Sequence, residues 1–233
     1  MKHTLGMKNY NSEAITWTVI IPSCLYAMLI VLLVNFHAWA ADQRPEPSLT
    51  DVVLFASLPL SSLDTAAYRD KQQVCVKKYL MAAKKYMHNE PKPGQSEQNI
   101  AIRRWRMERY ILLIQGPTSK KDAGLFASGV PLILEWEGMS EGPLVEADYT
   151  EQWLKQYPQS PIVPFVHIFA AHRYRAGFET ASSEHAKGLI PNTAAKYKQH
   201  LQAARSAGNG WITCIADDME GLAYVYLSGF GRP

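Results

Sequence analysis

The sequence predicts an all-α fold of stacked antiparallel helical hairpins, preceded by an apolar N-terminal helix. Apolar residues recur at helical spacing in one segment after another. Ser-x-x-Asp caps and Gly/Pro turns separate those segments. No stretch alternates apolar and polar residues for long enough to argue for a sheet.

The first element is a leader. Lys2, His3 and Lys8 precede an apolar run from Ile15 to Phe36, and Ala38 and Ala40 supply the small residues of an A-x-A cleavage site. Residues 1–40 are therefore expected to be a signal peptide cut between Ala40 and Ala41, leaving 41–47 as an exposed mature N-terminus and 48–233 as one α-helical domain. The competing expectation is an uncleaved anchor, because the run matches the ~20 residues of a membrane span. Cleavage predicts a periplasmic or secreted protein, and anchoring predicts one tethered to the inner membrane. "IPSC" around Cys24 is a poor lipobox. Once Cys24 leaves with the leader, Cys75 and Cys214 remain; they permit one disulfide in an oxidising compartment, or act as two separate buried thiols.

The domain begins with "SLTDVVLFASL", in which Ser48 and Asp51 form a capping pattern ahead of an apolar run. A helix over Asp64–Met87 follows, with Cys75, Val76, Tyr79 and Leu80 on one arc and four lysines opposite, ended by "NEPKPGQ". Ser96 is placed to cap "EQNIAIRRWRMERYILLIQ", whose last turns are apolar all round; "GPTS" stops it. Ser119 and Asp122 repeat the capping pattern before "AGLFASGVPLILEWEG", which Pro131 should kink or split. "EADYTEQWLKQYPQSP" reads as a helix broken at Pro158, and the next helix starts with Ser160 as cap and Pro161 at the first position. "NTAAKYKQHLQAARSAGNG" and "WITCIADDMEGLAYVYL" form the last pair.

A shift of 48 positions sets Tyr149 on Tyr197 and Trp153 on Leu201, a weak internal repeat. The stretch "ADYTEQWLKQYPQSPIVPFVHIFAAHRY" resembles the helix–"YPxS"–helix joint of bacterial tetratricopeptide-like proteins. The likeness covers about a third of the domain and departs from that family's ~34-residue repeat. It implies stacked helical hairpins and a protein-binding groove, and brings no catalytic residues with it.

The helix after Pro161 poses the main chemical question. A rotation of 100° per residue puts Ile168, Phe169, His172, Ala176 and Glu179 on one side, with Arg175 one turn from both His172 and Glu179. His172, Arg175 and Glu179 are thus a candidate polar cluster, either a shifted histidine poised as a base or a structural Arg175–Glu179 pair with His172 bonded inside the stack. The structural alternative is favoured. His167 lies five residues from His172, too far round the helix to join it, and no metal-binding motif is present. Glu135 and Glu137 would diverge on a helix, so they do not form paired catalytic carboxylates.

The 233-residue chain carries a formal charge of +3, and the export signal and modest charge argue against nucleic-acid binding. Charge is unevenly placed: Glu135–Glu151 carries six acids and no Lys or Arg, whereas basic residues dominate Arg69–Arg109. Glu135, Glu137, Glu146 and Asp148, with Arg103 and Arg106, form a candidate interaction surface. The arginines around Trp105 also fit a solvated basic face with one buried tryptophan. The expectation is a non-catalytic exported protein without cofactor or metal that binds a protein or peptide partner. The alternatives are a small periplasmic enzyme using His172 and Glu179, and a membrane-tethered scaffold.

Overall fold

The computed structural model describes residues 48–56, 99–133, 136, 139–183 and 185–225, all of which belong to the unit Pro45–Pro233. The expected leader with Ala40 and Ala41, the helix expected over Asp64–Met87 with Cys75, the expected Ser96 cap, and Glu135 and Glu137 lie outside the described residues. Those residues form six α-helices and no strand: α1 Ile100–Gln115, α2 Lys120–Gly129, α3 Glu141–Gln156, α4 Val163–Ser183, α5 Ile190–Ala207 and α6 Gly210–Gly221. A short π-helical turn, Asp51–Phe55, precedes them. None of these helices is long and apolar enough to cross a membrane.

The all-α class is as expected, and neighbouring helices pack together. The long helix α4 is the hub: it packs mainly on α3 and α5, and also touches α6 and α1. Its apolar circumference explains this, since a helix without a polar face is stable only when covered on most sides. Phe126 of α2 sits among the rings of Tyr149, Trp153, Phe165 and Phe169, with centroids 5.6–6.2 Å away. Such tilted and edge-to-face pairs add about 0.5–1.5 kcal/mol each beyond area burial. A Cβ at Gly177 would stand 2.7 Å from Leu144 Cδ2, so the bare glycine is what lets α4 lie this close to α3.

The helix boundaries show which punctuation acts. Ser48 and Asp51 form a reciprocal box: Ser48 N donates to Asp51 Oδ2 at 2.8 Å, and Asp51 N donates to Ser48 Oγ at 3.0 Å. Helix α1 is capped by Asn99, whose Oδ1 accepts from Ala101 N (2.9 Å) and Ile102 N (3.4 Å). Gly116, at φ 86°, ends α1 in a conformation that glycine adopts without steric cost.

Ser119 and Asp122 do not make the expected box. Ser119 Oγ donates back to Gly116 O at 2.6 Å, and Asp122 accepts instead from Ser160 Oγ, tying α2 to the entry of α4. Pro131 does not kink a longer helix. Helix α2 stops at Gly129 and the chain leaves through Val130 in extended conformation, as favoured for a residue preceding proline. The last helix stops at Gly221, short of the apolar "LAYVYL" assigned to it from sequence.

Asn209 has a double role. Its Oδ1 accepts from Trp211 N (3.0 Å) and Ile212 N (3.3 Å), and its Nδ2 donates to Ile114 O (2.7 Å) in the last turn of α1. Asn209→Ala removes the cap of α6 and leaves a helix-end carbonyl unsatisfied, so a loss of about 1–2 kcal/mol is expected in urea unfolding. Asn209→Asp, which keeps the cap acceptor but lacks the donor to Ile114, should recover only part of it.

Candidate functional site

Two clusters of ionisable side chains are assembled around α4. The first is a buried knot centred on Arg173, which is 0 % exposed. Its guanidinium fork reaches three parts of the chain at once. Nε donates to Glu146 Oε2 of α3 at 2.7 Å, one terminal nitrogen lies 2.7 Å from His172 Nδ1, and the other donates to Leu54 O of the N-terminal turn at 2.9 Å. The rings of Phe169, Phe55 and Trp136 lie 3.9, 5.0 and 5.2 Å from its central carbon, so the charge is enclosed by aromatic faces.

Glu146 completes the knot. Its other oxygen accepts from Ile133 N at 2.9 Å and from Trp136 Nε1 at 3.4 Å. Arg103 approaches from α1 and donates to Phe55 O and Ile133 O, both at 3.1 Å. Burial lowers the Arg103 pKa to about 10 despite the attraction of Glu146. His172 is wholly buried, and burial first, then the charges of Arg173 and Arg175, push its pKa well below the ordinary histidine value. An arginine only donates, so His172 Nδ1 accepts and the proton of the neutral ring is on Nε2. That Nε2 has no hydrogen-bond partner among the described residues.

These positions alter the expected sites. His172 does not bond to Arg175 or Glu179. Arg175 pairs with Glu179 at 2.8 Å, and together they clamp the chain after α6: Arg175 donates to Met219 O and Leu222 O, while Glu179 Oε2 accepts from Val225 N at 2.8 Å. Three residues of the expected interaction surface are not at the surface. Glu146, Arg103 and Arg106 are 0, 3 and 0 % exposed, and of the described members only Asp148 faces solvent. Trp105 is only half-buried and Arg109 lies over its ring, 5.3 Å from the centroid. Arg103 is drawn inside because the backbone at Phe55 and at 130–133 has carbonyls needing donors, and the half-buried Arg104 supplies another, reaching Val130 O at 3.2 Å.

The second cluster joins three consecutive helices through one carboxylate oxygen. Glu151 Oε1 of α3 accepts from Lys196 Nζ (2.6 Å) and faces His200 Nε2 (3.1 Å), both on α5, and also accepts from Tyr174 OH of α4 (3.2 Å). Behind it, His200 Nδ1 meets His167 Nδ1 of α4 at 2.9 Å, and the Tyr174 ring stacks on His200 at 5.5 Å. Burial pushes the Glu151 pKa up, but the hydrogen bonds from Lys196 and His200 outweigh it and hold the carboxyl at about 2.

Burial lowers the pKa of His200, and burial followed by the charge of His200 lowers that of His167 to about 4, so both rings are neutral at pH 7. The tautomers then follow from the bonds. His200 donates from Nε2 to the carboxylate, its Nδ1 accepts, and His167 Nδ1–H is the donor. His167 Nε2 then carries the ring's lone pair, with no hydrogen bond to it among the described residues. His167 belongs to this second cluster and not with His172. The usable signal was that His167 and Tyr174 are seven apart on α4, and Lys196 and His200 four apart on α5, so that each helix shows a polar pair on one face.

Cys214 is in a disulfide whose partner lies outside the described residues. Among the described residues no group of three or more His, Cys, Asp or Glu is arranged to hold a metal ion. Comparison with known proteins finds no family model, no curated protein and no solved structure that matches this chain.

Proposed function

We propose that this chain is an exported, non-catalytic protein whose helices stack as tetratricopeptide-like hairpins and bind another protein or peptide. The observation that carries the non-catalytic part is the neutralisation of the residues an enzyme would use. Both Glu179 oxygens are occupied, by Arg175 and by Val225 N, and His172 Nδ1 is occupied by Arg173. A base whose lone pair is held by a guanidinium cannot take a proton from a substrate. The bonded state of Cys214 supports an oxidising compartment, where such bonds persist. Leu125 of α2, Met139 just before α3 and Val145 of α3 remain large exposed apolar side chains after the core is filled, and side chains of this kind anchor partners.

Intact mass and N-terminal sequencing of the exported protein, with and without reductant, test the first half. A chain beginning at Ala41 that gains the two hydrogens of one reduced disulfide is expected. A full-length, membrane-bound chain with free thiols would overturn export. The binding half is tested by cross-linking in the native extract. A single captured protein should be lost on Leu125→Asp or Val145→Asp with unfolding midpoints unchanged, and capture insensitive to both would move the surface elsewhere.

A further inference from the structure

We propose that the His167–His200 pair is a proton-sensing latch between α4 and α5, closed while the two facing nitrogens share one proton and opened when each carries its own. The inference is independent of the function proposed above. At 2.9 Å the Nδ1–Nδ1 contact is a hydrogen bond only if one nitrogen donates and the other accepts.

The protonation sequence follows from the partners. A first added proton enters at His167 Nε2, which points away from His200, and the shared proton then rests on His200 Nδ1, the ring held by Glu151, so one bond still joins the rings. A second proton has one place left, His167 Nδ1, because both Nε2 atoms already carry hydrogens. Two N–H groups then confront each other across the helix interface, and two imidazolium charges stand side by side.

The neighbours relieve that repulsion only in part: Glu151 attracts both rings but leaves the two N–H groups facing each other. From α3 the pair faces Glu151, whose Oε1 already serves Lys196, His200 and Tyr174. From α5, Lys196 adds a further positive charge, and from α4 Tyr174 is an uncharged phenol whose pKa burial raises. The acids of α6, which packs on both helices, are engaged elsewhere: Asp217 and Glu220 by Arg205, and Asp218 by Thr50. The His200 ring cannot swing aside without losing both its bond to Glu151 and its stack on Tyr174. Relief therefore comes from separating α5 from α4. Because both histidines are held below their ordinary pKa, closure is complete above about pH 6.5 and is lost as the pH falls towards 4.

Hydrogen exchange of the whole exported chain, read by mass spectrometry at pH 7.5 and 4.5 and corrected for intrinsic exchange, tests the latch. Peptides from α5 should lose protection about tenfold or more at the lower pH while those from α1 keep theirs, the pattern of a local opening. His167→Gln should hold α5 protection to within about twofold across the same range, because a glutamine oxygen accepts from a protonated His200. His200→Gln, read in the same way, supplies the comparison if the first variant does not fold. Loss of protection by α1 and α5 together, no change in α5, or a variant that opens as the wild type does would each overturn the proposal.

Discussion

Replacing Arg173 by methionine is expected to cost about 3–5 kcal/mol, the largest loss of any single substitution in this fold. Methionine resembles arginine in length and leaves no large cavity, so the loss is electrostatic in origin. Glu146 would stay buried at 0 % exposure without its counter-charge, and Leu54 O and His172 Nδ1 would each lose a donor inside the core. Removing one partner of a buried, hydrogen-bonded ion pair is far more damaging than removing both, because the survivor keeps its full desolvation penalty. The double variant Arg173→Met/Glu146→Leu should therefore recover a large part of the loss. The recovery is incomplete because Glu146 also receives Ile133 N and Trp136 Nε1. Urea unfolding of the two single variants and the double variant closes a cycle, and a coupling energy below about 1 kcal/mol would show that the pair is not what holds the N-terminal turn, α3 and α4 together.

The helices, and one ion pair, were legible in the sequence because they are local. Arg175 and Glu179 stand four apart on one helix, and their pairing follows from the 3.6-residue period alone. The Ser48–Asp51 box and the burial of α4 follow equally from spacing and composition. Arg173 was not legible. Its partners Glu146 and Leu54 lie 27 and 119 residues away, and no periodicity reports separations of that kind.

The same limit hid Glu151–His200, 49 residues apart. The error over Arg103 has a different source. A run of arginines suggests a solvated face, yet carbonyls at the end of the N-terminal turn and after α2 lie inside the protein and draw charged donors inward. Burial of that irregular backbone is a tertiary fact, and only the proline at position 131 hints at it.

Acid should destabilise this protein from about pH 6.5 downward, and His172 should account for a separable share of the effect. Burial and the two neighbouring guanidinium groups depress its folded pKa far below the unfolded value near 6.5. In the interval between those values the unfolded chain binds a proton that the folded chain refuses, so stability rises with pH there. The contribution is fully present above pH 6.5 and falls by about 1.4 kcal/mol for each pH unit below it. Depressed His167 and His200 act in the same direction, and Glu151 adds to it only below about pH 4.5, the acid limit where its folded and unfolded forms diverge. His172→Gln separates the terms: its amide oxygen can accept from Arg173, and it does not titrate. Between pH 7.5 and 5 the wild type should lose about 2 kcal/mol more than His172→Gln in urea unfolding. Parallel pH profiles for the two proteins would mean that the folded chain protonates His172 as readily as the unfolded one does, which requires Nδ1, the one lone pair of the ring, to be free of Arg173.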